Sequence, residues 1–241
     1  MRTLSPSFIV VLAALGAAPA TVAAQSEHDV AAYFAMIASP IGTLPPILSN
    51  AMLGRPMTSP DIAVRYGHLP IGDAAANTFD ARIGFPAGTK VMMGVNAGYE
   101  SYSSCGGCDG HFIGGVNAEG RLASSMLGTG SDAALLNIGL NGEAGFGHES
   151  GSTAFSLNAG LPVALVSGTG TLRIAPFLTP GFGWGRISGG GDSVNGTRFL
   201  LGGGITFQSL TNNLGVNLGF QKVFIDGGDT MFGVSLIFGT K

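Results

Sequence analysis

The chain has 241 residues, of which 45% are hydrophobic, 10% are charged and 41 are glycine, and its formal net charge is −3. Soluble domains carry about 25% charged residues, so too few charges are present here for a good soluble surface, and nothing suggests the basic patch that nucleic acid requires. The mean hydropathy is nevertheless positive, although no apolar run beyond the N-terminus reaches the roughly 20 residues of a transmembrane helix.

The N-terminus reads as an export signal. Arg2 supplies a positive start, Phe8 to Leu15 an apolar core too short to anchor, and Val22-Ala23-Ala24 a small-residue cleavage site before Gln25. Residues 1–24 are therefore expected to be a signal peptide, with Ala20 as the alternative cleavage point. Residues 25–60 follow a different pattern. Ser26 and Asp29 can cap a short helix with Val30, Phe34 and Ile37 on one face and Pro40 ending it. Pro45, Pro46 and Pro56 prevent a long helix. A periplasmic lead-in, a plug in a lumen and a disordered segment are all compatible with this stretch.

From residue 61 onward the chain alternates. In Lys90 to Tyr102, Val91, Met93, Val95, Ala97 and Tyr99 fall on one face, and Lys90, Met92, Gly94, Asn96, Gly98 and Glu100 on the other. Similar segments give strands over Asp61–Tyr66, Ala75–Phe85, Lys90–Tyr102, His111–Ala123, Ala133–Gly147, Thr153–Leu165, Leu172–Ile187, Thr197–Gln208, Leu214–Phe224 and Met231–Phe238. With the charged fraction so low, the apolar face must point outward to lipid and the glycine-rich polar face inward. The expectation is an all-β, closed, antiparallel transmembrane β-barrel of about ten strands over residues 61–241, with eight as the alternative. Gly67–Ala74 would be the first outer loop, followed on the same side by Ser103–Gly110, His148–Ser152, Ser188–Gly196 and Asp226–Asp229. Pro86–Thr89 would be the first inner turn.

Pro176 and Pro180 each remove a ladder hydrogen bond from their strand, which predicts a bulge or side-chain compensation there. Tyr99, Phe182 and Trp184 on the apolar face suit a membrane-interface girdle. Lys222 on the same face is near enough to a strand end to snorkel.

Alternation turns Asp80, Arg82, Lys90, Glu100, Glu119, Arg121, Glu143, Arg173 and Arg198 into the lumen. Both signs are nearly balanced, as in an ion-pair network that fills a closed interior. A narrow pore with a selective lining is the functional alternative. Cys105-Gly106-Gly107-Cys108 in an outer loop reads as a local disulfide between Cys105 and Cys108. A zinc site with Asp109 and His111, or a redox dithiol, are the other uses of these thiols. His148, Glu149 and Ser150 are adjacent in one loop and read as loop polarity rather than a triad. His28 lies in the lead-in and His68 near a loop. The glycine runs 189–191 and 202–204 lack the features of a nucleotide site.

The signal, the alternating glycine-rich strands and the ending Gly233-Val234-Ser235-Leu236-Ile237-Phe238 resemble the small bacterial outer-membrane β-barrel superfamily. That resemblance implies a Gram-negative outer membrane, contact with its lipid, and reading of Gly233, Leu236 and Phe238 by the barrel assembly machinery. Here Gly239, Thr240 and Lys241 follow the last aromatic. The expected role is non-enzymatic: structural, surface-contact or narrow-pore, with no cofactor, metal or nucleic acid and with any solute or surface ligand unspecified. A lipid-modifying outer-membrane enzyme and an exported soluble ligand-binding barrel are the competing classes.

Overall fold

The computed structural model describes residues 33, 35–54, 59–104, 110–129, 133–149, 151–169, 171–189, 191–225 and 228–239. The predicted signal peptide and the Cys105–Cys108 pair lie outside these residues.

Strands β1 (Asp61–Ile71), β2 (Ala74–Pro86), β3 (Val91–Ser103), β4 (His111–Leu127) and β5 (Ala134–Glu149) come first in the barrel. They are followed by β6 (Ser152–Gly160), β7 (Val163–Thr169), β8 (Leu172–Gly189), β9 (Asp192–Ser209), β10 (Leu214–Val223) and β11 (Thr230–Gly239). Pairing is antiparallel throughout, and the sheet closes where β1 pairs β11, from Asp61 opposite Gly239 to His68 opposite Phe232. Both β6 and β7 lie between β5 and β8. They are two halves of one barrel strand, so the barrel has ten strands rather than eight.

The break between β6 and β7 answers the proline problem. Pro180 has no N–H to give, and its carbonyl accepts from Leu161 N at 2.9 Å, at the point where Leu161-Pro162 leaves the strand. Pairing in the β7–β8 ladder likewise lapses between Ala164–Phe177 and Ser167–Ile174, around Pro176, and resumes in the same register, without the bulge expected there. One neighbour is thus interrupted where β8 cannot donate, while β8 keeps a continuous register with β9.

Several strands run further than their sequence limits. Gly67–Ala74 is not a loop: β1 continues to Ile71 and turns at Gly72-Asp73, with Gly72 at φ 58°. Ser188–Gly196 likewise shrinks to a tight turn with Gly191 at φ 96°. Cross-strand pairing continued past the outward apolar residues, into segments rich in glycine, proline and polar residues that read as loop. Positive φ at glycine then closed the turn without a Cβ penalty.

The two faces sort as the alternation requires. Ile62, Val64, Phe79, Ile83, Val95, Leu140, Leu218 and Leu236 are exposed outside, whereas Asp61, Arg65, Thr78, Asp80, Asn96, Asn217 and Ser235 are buried inside. Aromatic residues form a belt near the end of the barrel remote from Asp61 and Gly239. Tyr66, Phe79, Tyr99 and Phe112 stand opposite one another on β1 to β4. Phe146 and Phe155 continue the belt, and ring contacts link Phe155 to Trp184 at 6.0 Å, Phe182 to Phe199 at 5.5 Å and Phe199 to Phe224 at 5.2 Å. Tyr99, Phe182 and Trp184 all lie in this belt.

The lumen is filled by the chain's own N-terminal segment. Met36 and Ile37 pack with Leu69, Ala76, Leu200, Val223 and Met231 near the girdle end. Leu48, Met52 and Leu53 pack with Ala164, Val166, Ala175 and Phe177 near the opposite end. Between them, helical residues 35–37 give way to a turn at Ala38 and Ser39, as expected of a short helix stopped before Pro40, and Pro40 itself then opens the one-turn α1 (Pro40–Thr43), with Ser39 extended before it. Glycines on the inner wall make the room. A Cβ on Gly67 would lie 1.7 Å from Thr43 O, one on Gly147 2.0 Å from Ala38 O, and one on Gly233 2.8 Å from Pro45.

Gly67→Val is accordingly expected to destabilise the closed barrel by about 3 kcal/mol or more, the upper range for overpacking. Gly142→Ala, whose nearest contact would be at 3.6 Å, should be close to neutral. The temperature at which the folded band shifts on an SDS gel measures both, and equal shifts for the two variants would contradict the fit.

Candidate functional site

The lumen is where the polar chemistry collects, and the first strand supplies part of it. Asp61, Ala63, Arg65 and Gly67 share the inward phase of β1. Arg65 stands opposite Asp80 on β2 and forms a forked ion pair with it, Nε donating to Oδ1 at 2.7 Å and Nη2 to Oδ2. Asn96 Nδ2 also donates to Asp80, at 2.9 Å. Arg82 reaches Asp61 at 3.1 Å through Nη1 and Asn117 Oδ1 at 3.3 Å through Nε. All four charged partners are nearly inaccessible to solvent. Sequence reading placed Asp80 and Arg82 in the lumen but missed Asp61 and Arg65, although their in-phase spacing was the available signal.

The other inward charges serve the plug more than one another. Ser49 donates to Glu119 from its backbone N at 3.2 Å and from its hydroxyl at 3.0 Å. Arg173 Nη1 donates to Leu53 O at 3.0 Å, and Arg121 extends toward Gly54. Asn137 donates to Met52 O at 2.7 Å, and Asn217 to Pro46 O at 2.9 Å. His111 Nε2 lies 3.3 Å from Ala38 O, and the Ser39 and Ser156 hydroxyls share a 2.5 Å bond. Irregular backbone buried in a barrel needs partners for its carbonyls, and the wall provides them at Ala38, Pro46, Met52 and Leu53.

Glu100 is fully buried and accepts from Thr78 at 3.0 Å. Glu143 faces inward from β5, opposite Asn117 on β4 and Asn158 on β6. Arg198 is partly exposed and donates to Thr197 O at 2.8 Å. Lys90 departs from its expected lumen position. It is exposed in the turn between β2 and β3, because β3 begins one residue later, at Val91.

The space that remains at mid-lumen is a polar cavity of about 50 Å³, bounded by the plug at Pro46 and Ile47 and by Arg65, Arg82, Glu119 and Glu143. Small-molecule pockets run to about 300–1,000 Å³, so this space suits a water or an ion and excludes a drug-sized ligand. Among the described residues no three His, Cys, Asp or Glu side chains cluster as a metal site. Of the zinc set considered for the cysteines, His111 points inward from β4, while Cys105, Cys108 and Asp109 lie outside the described residues. His68 Nδ1 bonds Asn77 Oδ1 at 2.9 Å, and His148 Nδ1 bonds Thr153 Oγ1 at 3.0 Å. Ser150 and His28 also lie outside the described residues.

At the ends of the barrel, Lys222 is half-exposed on the outer face near the girdle. Leu236 and Phe238 face outward on β11, while Gly233 packs inward on Pro45.

Apolar outside, charged inside and closed from β1 to β11, the chain is a ten-stranded transmembrane β-barrel. No family model matches the sequence, and no curated protein matches it. Among solved structures, LpxR from Salmonella typhimurium aligns at 11% identity and TM-score 0.40 over 75% of this chain and 99% of that one. The N-terminal β-barrel domain of Pseudomonas aeruginosa OprF aligns at 9% identity and TM-score 0.35 over 77% and 100%. Ail of Yersinia pestis aligns at 13% identity and TM-score 0.32 over 75% and 97%.

Arg65→Ala should cost about 3–5 kcal/mol, the usual penalty for stranding one member of a buried ion pair. The double variant Arg65→Met with Asp80→Leu should recover most of that loss. Urea unfolding followed by the fluorescence of Trp184, the single tryptophan, separates the two. A double variant no more stable than Arg65→Ala would show that the pair does more than neutralise itself.

Proposed function

We propose that this protein is a non-enzymatic barrel of the Gram-negative outer membrane, reached after signal-peptide cleavage. In this reading the barrel is closed by its own N-terminal segment and acts as a structural or surface-contact protein. The observation that carries the reading is the plug. Its carbonyls at Ala38, Pro46, Met52 and Leu53 face barrel side chains, and wall glycines leave no room for a Cβ where it passes. A channel lining has no need of such a fit.

Direction adds to it. Bacterial barrels keep both barrel termini on the periplasmic side, which puts Asp61 and Gly239 inside and the aromatic girdle toward the outer leaflet. The plug then runs from Leu53 at the periplasmic end to Tyr33 at the outer mouth. Tyr33, the first described residue of the plug, thus stands at the surface side of the barrel in this reading. This arrangement makes surface contact the preferred role.

A gated pore is the second reading, favoured by the polar wall behind the plug. It requires the plug to leave. A lipid-modifying activity would need a hydroxyl, an imidazole and a carboxylate together at the level of the girdle. The described imidazoles at that end engage Asn77, Ala38 O and Thr153, which gives that reading little support.

Two measurements test the proposal. An epitope inserted at residue 26 should be detected by antibody on intact cells, and detection only after permeabilisation would reverse the orientation. In planar bilayers the full-length protein should show no discrete conductance steps, whereas a variant lacking residues 26–54 should show them. Steps of equal size from both proteins would make it a pore in its own right.

A further inference from the structure

We propose that the outer wall of the barrel carries a binding site for one anionic phospholipid, with an acyl chain in a groove across β1 to β6 and the phosphate on Arg186. The first observation is geometric. Val64, Ala81, Ala97, Gly114, Phe146 and Phe155 stand opposite one another on six successive strands and share the outward phase. Over this row lies an apolar groove of about 890 Å³, floored by Ala81 and Ala97. Tyr99 and Phe112, in edge-to-face contact at 5.4 Å, form its bank on the girdle side, and Val116 lies on the other. The Phe146 ring covers Gly114, where a Cβ would come within 2.9 Å of it.

The groove runs obliquely through the wall. Val64 is the fourth residue of β1 from the Asp61 end, whereas Phe155 is the fourth of β6 from the girdle end. Five strand spacings of about 4.8 Å give a length of about 24 Å. With strands tilted by roughly 40°, that length descends about 15 Å, half of the roughly 30 Å hydrocarbon core. This is the depth of one leaflet and the path of one acyl chain.

Charge identifies the headgroup. Beyond Phe155 the same row continues on β8 into Arg186, which is exposed. Residues directly opposite in an antiparallel sheet have Cβ atoms about 4.5–5.5 Å apart, so the guanidinium stands at the upper end of the groove. It donates to Ser193 Oγ at 3.1 Å, and among the described residues no carboxylate pairs with it. The next outward row toward the mouth is His148, Thr153, Ser188 and Ser193, all polar. A guanidinium without a counter-charge, ringed by hydroxyls where an apolar groove reaches the interface, is complementary to a lipid phosphate. These two outward rows hold no carboxylate, so a second copy packed on the same face would leave both guanidiniums unmatched.

The test offers the full-length barrel, in detergent, equal amounts of phosphatidylglycerol and phosphatidylcholine with the same acyl chains, and weighs the complexes by native mass spectrometry. One phosphatidylglycerol should remain on each barrel, preferred over phosphatidylcholine by roughly tenfold, as expected of one charge-assisted contact. Arg186→Gln should bring that ratio close to one. Ala97→Phe and Ala81→Phe, which fill the floor from the lipid side, should lose the retained lipid of either kind and still give a heat-shifting band. Lys222→Gln, an outward cation on β10 away from the groove, should keep the wild-type preference. Wild-type protein that retains no lipid, or both lipids equally, would overturn the proposal. An undiminished preference in Arg186→Gln would also overturn it, by placing the headgroup elsewhere, as would full retention in both alanine variants. A lipid-free dimer would overturn it by giving the groove to a second copy.

Discussion

The constraint on which the rest depends is that backbone polar groups in hydrocarbon must find partners within the protein, since each one left over costs several kcal/mol. Closure between β1 and β11 satisfies that demand for the wall. It is met differently at Pro176 and Pro180, where β8 cannot donate on one side. There the partner strand is split into β6 and β7, and Leu161 N turns to the Pro180 carbonyl. The defect falls on a single seam, with β9 on the far side of β8 unaffected.

The same demand governs the lumen, and it explains why the plug has the composition it has. A segment with Pro40, Pro45 and Pro46 cannot hydrogen-bond to itself as a long helix, so its carbonyls need outside donors. Asn137, Asn217, Arg173 and His111 occupy the positions from which those carbonyls can be reached. Steric fit follows from the same proximity. Wall positions crossed by the plug's backbone or prolines are glycine, as at Gly67, Gly147 and Gly233. The glycine-rich inner face is therefore a mould for a particular piece of chain, rather than simply a way of closing a narrow barrel.

This distinction marks what the sequence could and could not convey. Alternation and the scarcity of charge made the barrel, its strand number and the orientation of its faces legible, because period two is a local property of each strand. The inward placement of Asp80, Arg82 and Glu119 followed from the same rule. Asp61 and Arg65 obeyed it too and were still passed over, because their strand read as a short segment ending at Tyr66. Lys90 failed because phase says nothing about where a strand begins. A plug was one of three alternatives for residues 25–60, and the choice among them was out of reach for a deeper reason. What holds residues 35–54 is a set of donors and gaps on strands from 24 residues away, at Gly67 against Thr43, to 171 residues away, at Asn217 against Pro46, and no local pattern in the segment encodes them.

The lumen charges then acquire a reason beyond filling space. A buried ion pair is on average a weak source of stability, because desolvation offsets most of the Coulombic gain. Leu and Met would have filled a closed barrel at least as well. What Arg65–Asp80 and Arg82–Asp61 add is fixed geometry at mid-lumen, between two apolar clusters that grip the plug at its ends. Apolar packing tolerates sliding, whereas Ser49 bonded to Glu119 sets the plug at one depth. A forked guanidinium–carboxylate pair allows few alternatives, and Arg65, held in such a pair by Asp80, lines the same cavity as Glu119. The interior is thus organised as two greasy grips and one polar register mark. With the plug's depth fixed in this way, the position of Tyr33 at the mouth is determined rather than left to chance.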